Sequence, residues 1–184
     1  AYGNRDFGTV KGFQLEYELR RTNNIKIDAN YTLQFANGTG SSATTGANLA
    51  RAGAASLRSL LPFDYDNRHQ ILLRLDWRYG RGSQYNGPKI NGKRILENFG
   101  INVTTSALSG RPYTRRDRAY AVTAVASQSA LTQGQINGAR LPWQVTVDLR
   151  MNKSFMLDAR GRKSIDVYIQ VLNALNTLNV VNVY

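Results

Sequence analysis

Residues 68–79, RHQILLRLDWRY, decide how the chain folds. The odd positions His69, Ile71, Leu73, Leu75, Trp77 and Tyr79 are almost all apolar, and the even positions Arg68, Gln70, Arg74, Asp76 and Arg78 are polar, with Leu72 the exception. Strand side chains alternate between faces, so this two-residue period sets one apolar surface against one charged, hydrogen-bonding surface.

The same division recurs on both sides of that stretch. Upstream, a strand near 10–21 carries Phe13, Leu15, Tyr17 and Leu19 against Gln14, Glu16, Glu18 and Arg20. The short polar turn RTNN (21–24) joins it as a hairpin to a strand near 25–36, where Ile27, Tyr31, Leu33 and Phe35 oppose Lys26, Asp28, Asn30 and Gln34. Downstream, a strand near 95–108 sets Ile101 and Val103 against Asn102 and Thr104, with a thinner apolar face. A strand near 143–155 divides Val145, Val147 and Leu149 from Asp148 and Arg150. After the turn DARGRK (158–163), a last strand near 164–175 divides Val167 and Ile169 from Asp166 and Gln170. Between these lie two long loops, 37–67 and 109–142, each about 30 residues and uncommon in compact domains. The middle of the first, 47–61, has the composition for a short helix, and a Gly-rich basic connection spans 80–94.

The 184 residues suit one domain or a piece of one. No apolar run reaches the length of a membrane-crossing helix, but a spanning β-barrel leaves no such run. Nothing at the start resembles a signal peptide, which implies its prior removal or an internal fragment. Without cysteine, and with His69 the single histidine, thiolate and histidine-rich metal sites are excluded. A formal charge of +12 invites a nucleic-acid reading, yet many cations sit in turns and loops or beside acidic residues on polar strand faces. Nucleic-acid stacking needs aromatic rings interleaved with those cations; here Phe13, Tyr17, Tyr31 and Trp77 lie opposite them.

The expected fold is therefore all-β: an antiparallel transmembrane β-barrel segment of six or seven strands, forming part of one barrel domain over 1–184. Strands of about 10 to 12 residues are twice the usual soluble length and match tilted membrane strands. Short and long connections alternate, as on the two sides of an outer-membrane barrel, although 80–94 is long for a periplasmic turn. Aromatic residues gather toward strand ends, where interfacial girdles would lie. On this reading Phe13, Leu15, Tyr17, Ile27, Tyr31, Leu33, Ile71, Leu73, Leu75, Trp77, Ile101, Val103, Val145, Val147, Leu149, Val167 and Ile169 face lipid. Glu16, Glu18, Lys26, Asp28, Arg74, Asp76, Asp148, Arg150, Asp166 and Gln170 face a wet lumen. A soluble sandwich with aromatic edge-filling is the alternative.

The stretches GTVKGFQLEYELR, NNIKIDANYTLQFANGTGS, PFDYDNRHQILLRLDWRYG, ENFGINVTTSALSGRPYT, VDLRMNKSF and DVYIQVLNALNTLNVVNVY, in this order, resemble the later barrel of TonB-dependent outer-membrane receptors. The likeness is greatest to receptors that carry an N-terminal carboxypeptidase-regulatory-like domain. It implies a 22-stranded barrel in the Gram-negative outer membrane, plugged by an upstream domain of the same protein and importing a nutrient. Implied partners are outer-membrane lipid and lipopolysaccharide, the plug, the periplasmic energy-transducing TonB protein through an upstream motif, and a surface lipoprotein. The same wall also suits secretion or surface assembly, and a soluble basic β-domain is the remaining reading.

Catalytic signals are weak, and neither enzymatic activity, a cofactor nor a bound metal is expected. His69 with Asp64 and Asp66 nearby reads as a rim histidine, and the Glu16/Glu18 pair reads as lumen charges meeting Arg20 or Lys26. Asp64, Asp66 and Asn67 match no calcium loop and read as turn chemistry. For ligand capture, the loop GRPYTRRDRAY gathers Arg111, Tyr113, Arg115, Arg116, Arg118 and Tyr120, a surface for anionic or aromatic groups or for lipopolysaccharide.

Overall fold

The computed structural model describes residues 7–41, 60–116, 132–158 and 162–183. Most of the 47–61 stretch, together with Arg118 and Tyr120, lies outside the described residues. The long strands are β1 (Gly8–Thr22), β2 (Ile25–Gly38), β4 (His69–Arg78), β5 (Phe99–Leu108), β10 (Gln144–Met156) and β11 (Ser164–Val171). Two-residue strands lie in the long connections: β3 (Leu61–Pro62), β6 (Pro112–Tyr113), β7 (Arg115–Arg116), β8 (Thr132–Gln133) and β9 (Ala139–Arg140).

One antiparallel sheet of seven strands runs in the order β1-β2-β4-β5-β10-β11, with β3 paired to the end of β2. The sheet is open, and β1 and β11 are its two edges. Each long strand pairs with the next long strand in the chain, so no crossover is needed. All the short connections therefore leave from one end of the sheet and both long ones from the other.

Strand limits follow local backbone chemistry. Asn23 and Asn24 both have positive φ (47° and 79°), the type I′ arrangement that joins β1 to β2 without splaying them. The fourth expected strand starts at Phe99 rather than 95, because 95–98 form a turn that ends with Asn98 at φ 56°. The last ends at Val171 rather than 175, since Asn173 turns the chain with φ 49°.

The connection 79–98 is a folded unit, which accounts for its length at the short-connection end. A 3₁₀ turn (Gly82–Gln84) is held by Glu97, whose Oε1 accepts the Gly82 N–H at 2.6 Å, and by Arg94, which donates to Gly82 O at 2.7 Å. The Tyr85 ring packs 5.4 Å from that of Tyr79 and its hydroxyl donates to Pro88 O. Asn24 donates to Asn86 at 2.6 Å, tying the unit to the β1–β2 hairpin.

At the β11 edge a side chain takes the place of a strand. Beyond Val171 the chain returns to the upper half of β10, where the Asn179 amide accepts from Val145 N–H at 2.9 Å and donates to Val145 O at 3.1 Å. Asp148 accepts the Asn173 N–H at 2.8 Å, and Thr177 donates to Val145 O. Backbone groups that a neighbouring strand would have paired are thereby satisfied.

No second layer covers either face of the sheet among the described residues. The buried apolar side chains Ala36, Leu61, Phe63, Tyr85 and Leu141 all sit at the ends of the strands or in the connections. On the faces the apolar residues stand open, Leu15 at 63 %, Phe13 at 57 % and Ile169 at 60 %.

Near its start β1 lies so close to β2 that a Cβ on Gly12 would come within 2.1 Å of Leu33 O. Gly12→Val forces the backbones apart, and the expected cost is about 1–3 kcal/mol. A lower urea midpoint for the full-length variant checks it, and an unchanged midpoint argues against the close approach.

Candidate functional site: two opposed faces and a latched loop end

The register keeps the two kinds of side chain apart across the whole sheet. Leu15, Tyr31, Ile71, Ala107 and Val145 are successive cross-strand partners, as are Leu19, Ile27, Leu75, Val103, Leu149 and Val171. Tyr17 faces Ala29 in the row of Leu73, Thr105 and Val147. Leu33 lies opposite Phe13, Trp77 opposite Ile101, and Ile169 and Val167 opposite Met151 and Lys153. Every residue expected on the apolar face is thus found on one face, and all are exposed or half-buried.

Rings cluster at both ends of this face. At the long-connection end Phe13 meets Tyr31 edge-on (5.9 Å), Tyr31 stacks on His69 (6.1 Å) and His69 stacks on Trp143 (5.7 Å). The Tyr31 hydroxyl lies 2.9 Å from His69 Nδ1, so the histidine is part of a ring ladder beside the strand ends. At the short-connection end Trp77 contacts Tyr79 (4.6 Å) and Phe99 (6.4 Å). Lys153, the cation on this face near that end, places its ammonium on the carbonyls of Ile95 (2.7 Å) and Glu97 and lies 5.7 Å from the centre of the Phe155 ring. Its apolar stem stays among neighbouring side chains while its charge reaches a polar rim.

The even face carries the charges. Lys26, Asp76, Asn102, Arg150 and Gln170 form one row across five strands, and Glu18, Asp28, Arg74, Thr104 and Asp148 form the next. Asp76 is the hub: Asn102 donates to it at 3.0 Å, Arg78 lies at 3.5 Å, and Arg21 closes on its other oxygen. Alternation alone places odd-numbered Arg21 with the apolar residues. A register shift between Leu19 and Thr22 re-aims it across β2 to Asp76. Lys26 bridges Asp28 (3.1 Å) and Glu18 (4.0 Å), whereas Glu16 stands opposite Asn30. The two Lys26 pairs are solvated and contribute little to stability. Arg150 stacks over Tyr168 at 4.5 Å beside a depression lined by Arg78, Asn152, Ser154 and Asp166.

The two long connections are joined by a buried carboxylate that the sequence reading assigned to turn chemistry. Asp66 is fully buried; its Oδ1 accepts the Ala36 N–H at 2.9 Å and its Oδ2 accepts from Arg140. Arg140 also donates to Asp66 O (2.7 Å) and Gly110 O (3.2 Å). Asn137 donates to Pro62 O (2.8 Å), and Asn67 donates to Ser109 O (3.1 Å). The second loop rises from this latch as a narrow ribbon, β6 on β9 and β7 on β8. Arg111 precedes the ribbon and is exposed, Tyr113 is half-buried in β6, and exposed Arg115 and then Arg116 follow in β7. The ribbon brings these four into one short segment at the long-connection end.

Among the described residues no three acidic or histidine side chains gather closely enough to hold a metal ion. The chain matches no family model, no curated protein and no solved structure.

Asp66→Ala leaves Arg140 without its carboxylate and the Ala36 N–H without an acceptor. Because Arg140 is partly exposed, the expected loss is roughly 2–3 kcal/mol, toward the low end for a broken buried pair. The midpoint of chemical unfolding measures it, and a change below about 0.5 kcal/mol, the range of neutral surface substitutions, contradicts the latch.

Proposed function

We propose that this chain forms part of the wall of a transmembrane β-barrel in the Gram-negative outer membrane, with its odd-numbered face toward lipid and its even-numbered face toward a wet interior. One observation carries the reading: six long strands in continuous register hold an open apolar face against a charged, hydrogen-bonding face. Charged groups on the lipid side would be prohibitive, while inside a barrel they meet water or one another. The ten-residue β4 extends about 33 Å, and at a tilt of about 40° it rises roughly 25 Å, the height of a barrel's apolar band. Rings at both ends of that band suit the two bilayer interfaces.

Within that wall we assign the activity of a TonB-dependent receptor, on the sequence resemblance. The long-connection end is the outer side, where the ribbon with Arg111, Tyr113, Arg115 and Arg116 meets an anionic or aromatic solute. The even face, with Glu16, Glu18, Lys26, Asp28, Arg74, Asp76, Asp148, Arg150, Asp166 and Gln170, lines the interior against the plug contributed by another part of the same protein. Import then needs no covalent step: the energy-transducing protein displaces the plug and the solute passes along the polar wall.

Two measurements test the proposal. Leu73→Arg in the full-length protein is expected to cost about 2–4 kcal/mol of folding stability in phospholipid vesicles, against less than about 1 kcal/mol for Thr104→Arg on the opposite face. Equal costs reverse or abolish the assignment of faces. Uptake of the solute is expected to stop in cells that lack the energy-transducing protein, and continued uptake rejects energy-coupled import while leaving the wall intact.

A further inference from the structure

At the long-connection end of the odd face, the apolar surface gives way to two cations around one ring. Lys11 is the direct cross-strand partner of Phe35. Arg68 stands opposite Gln34, on the even side by register, but it precedes β4, and its guanidinium carbon reaches 5.2 Å from the centre of the Phe35 ring. Phe35 is 40 % exposed, the Arg68 side chain 39 %, and Lys11 is open to solvent. The ring ladder of Phe13, Tyr31, His69 and Trp143 lies beside them, nearer the middle of the face.

The charge of this cluster is not balanced within the described residues. Asp66 Oδ2 lies 3.5 Å from Arg68 Nε, but that oxygen accepts from Arg140 and Oδ1 is taken by the Ala36 N–H. One carboxylate therefore serves two guanidinium groups, and Arg68 Nε has no hydrogen-bond partner. The opposite end differs, because the Lys153 ammonium is already held by two backbone carbonyls.

We infer that Lys11 and Arg68 form a binding site for the phosphate of an anionic lipid headgroup, seated where the apolar face ends. The inference rests on the proposal that the odd face meets lipid. A phosphate between the two groups accepts charge-assisted hydrogen bonds from an ammonium and a planar guanidinium, and the acyl chains below it continue along Phe35, Phe13 and Leu15. Continuity with the apolar face selects a lipid over a free anion: the cations lie at its margin, at the height where headgroups follow hydrocarbon.

The test uses the full-length protein in phosphatidylcholine vesicles, with and without phosphatidylglycerol, and spin-labelled forms of both lipids to measure their relative affinity for the protein surface. The wild type is expected to prefer phosphatidylglycerol, and Lys11→Gln with Arg68→Gln to lose about five-fold of that preference per cation removed. The charge-conserving pair Lys11→Arg and Arg68→Lys should retain most of it, and Lys163→Gln, in a short connection, should leave it unchanged. An undiminished preference in the Gln pair overturns the site, as does its abolition by millimolar inorganic phosphate at constant ionic strength, which would mark a site for the free ion. A nitroxide on Leu73→Cys separates the two levels. Contact with oxygen dissolved in the bilayer, together with an undiminished preference in the Gln pair, rejects the headgroup site alone; contact with a water-soluble relaxant instead rejects the face assignment and the site with it.

Discussion

Everything in this structure depends on the parity of the strand register. Each pairing between neighbouring long strands sets odd residues against odd and even against even, from Leu15 on β1 to Val171 on β11. A slip of one residue in any strand would turn its whole set of side chains over, placing Arg74 and Asp76 among Leu33 and Val103. The one irregularity in the β1–β2 pairing falls at the end of β1, between Leu19 and Thr22, where it turns over Arg21 and Thr22 and leaves the pairing before Leu19 intact. Its placement limits the effect: a bulge at a strand end turns over only the last residues, whereas in mid-strand it would turn over half a strand.

With neither face of the sheet covered by a second layer among the described residues, order at its two ends comes from polar contacts. The loop end is closed by a fully buried carboxylate that binds a backbone amide and a guanidinium from the other long connection. The opposite end is closed by the Glu97, Arg94 and Tyr85 contacts that fold residues 79–98 onto the hairpin turn. At the β11 edge the Asn179 amide reproduces the donor and acceptor of a strand residue. In each place a polar side chain satisfies backbone that sheet hydrogen bonding leaves open.

The proposed wall and the proposed headgroup site follow from the same division. An apolar band between two ring clusters needs a boundary at each end. The two boundaries are chemically unlike, with Lys153 already satisfied by carbonyls and the Lys11–Arg68 pair left with surplus positive charge. That asymmetry distinguishes the two ends of the sheet, which alternation by itself does not, since alternation is the same read from either end.

The sequence by itself determined the six long strands, their order of apolar and polar faces and the two ends at which connections gather, because a two-residue period is a local property and each strand carries its own copy. It located most strand ends within a few residues and missed two, since the turns at Asn98 and Asn173 use positive φ that asparagine tolerates without advertising. Only the tertiary structure decided the rest. Arg21 finds Asp76 across 55 residues, Arg140 finds Asp66 across 74, and Asn179 finds Val145 across 34. No period links those partners: each contact exists because antiparallel pairing in one register returns distant segments to the same edge or end, and a polar group there has to find a partner or remain unpaired.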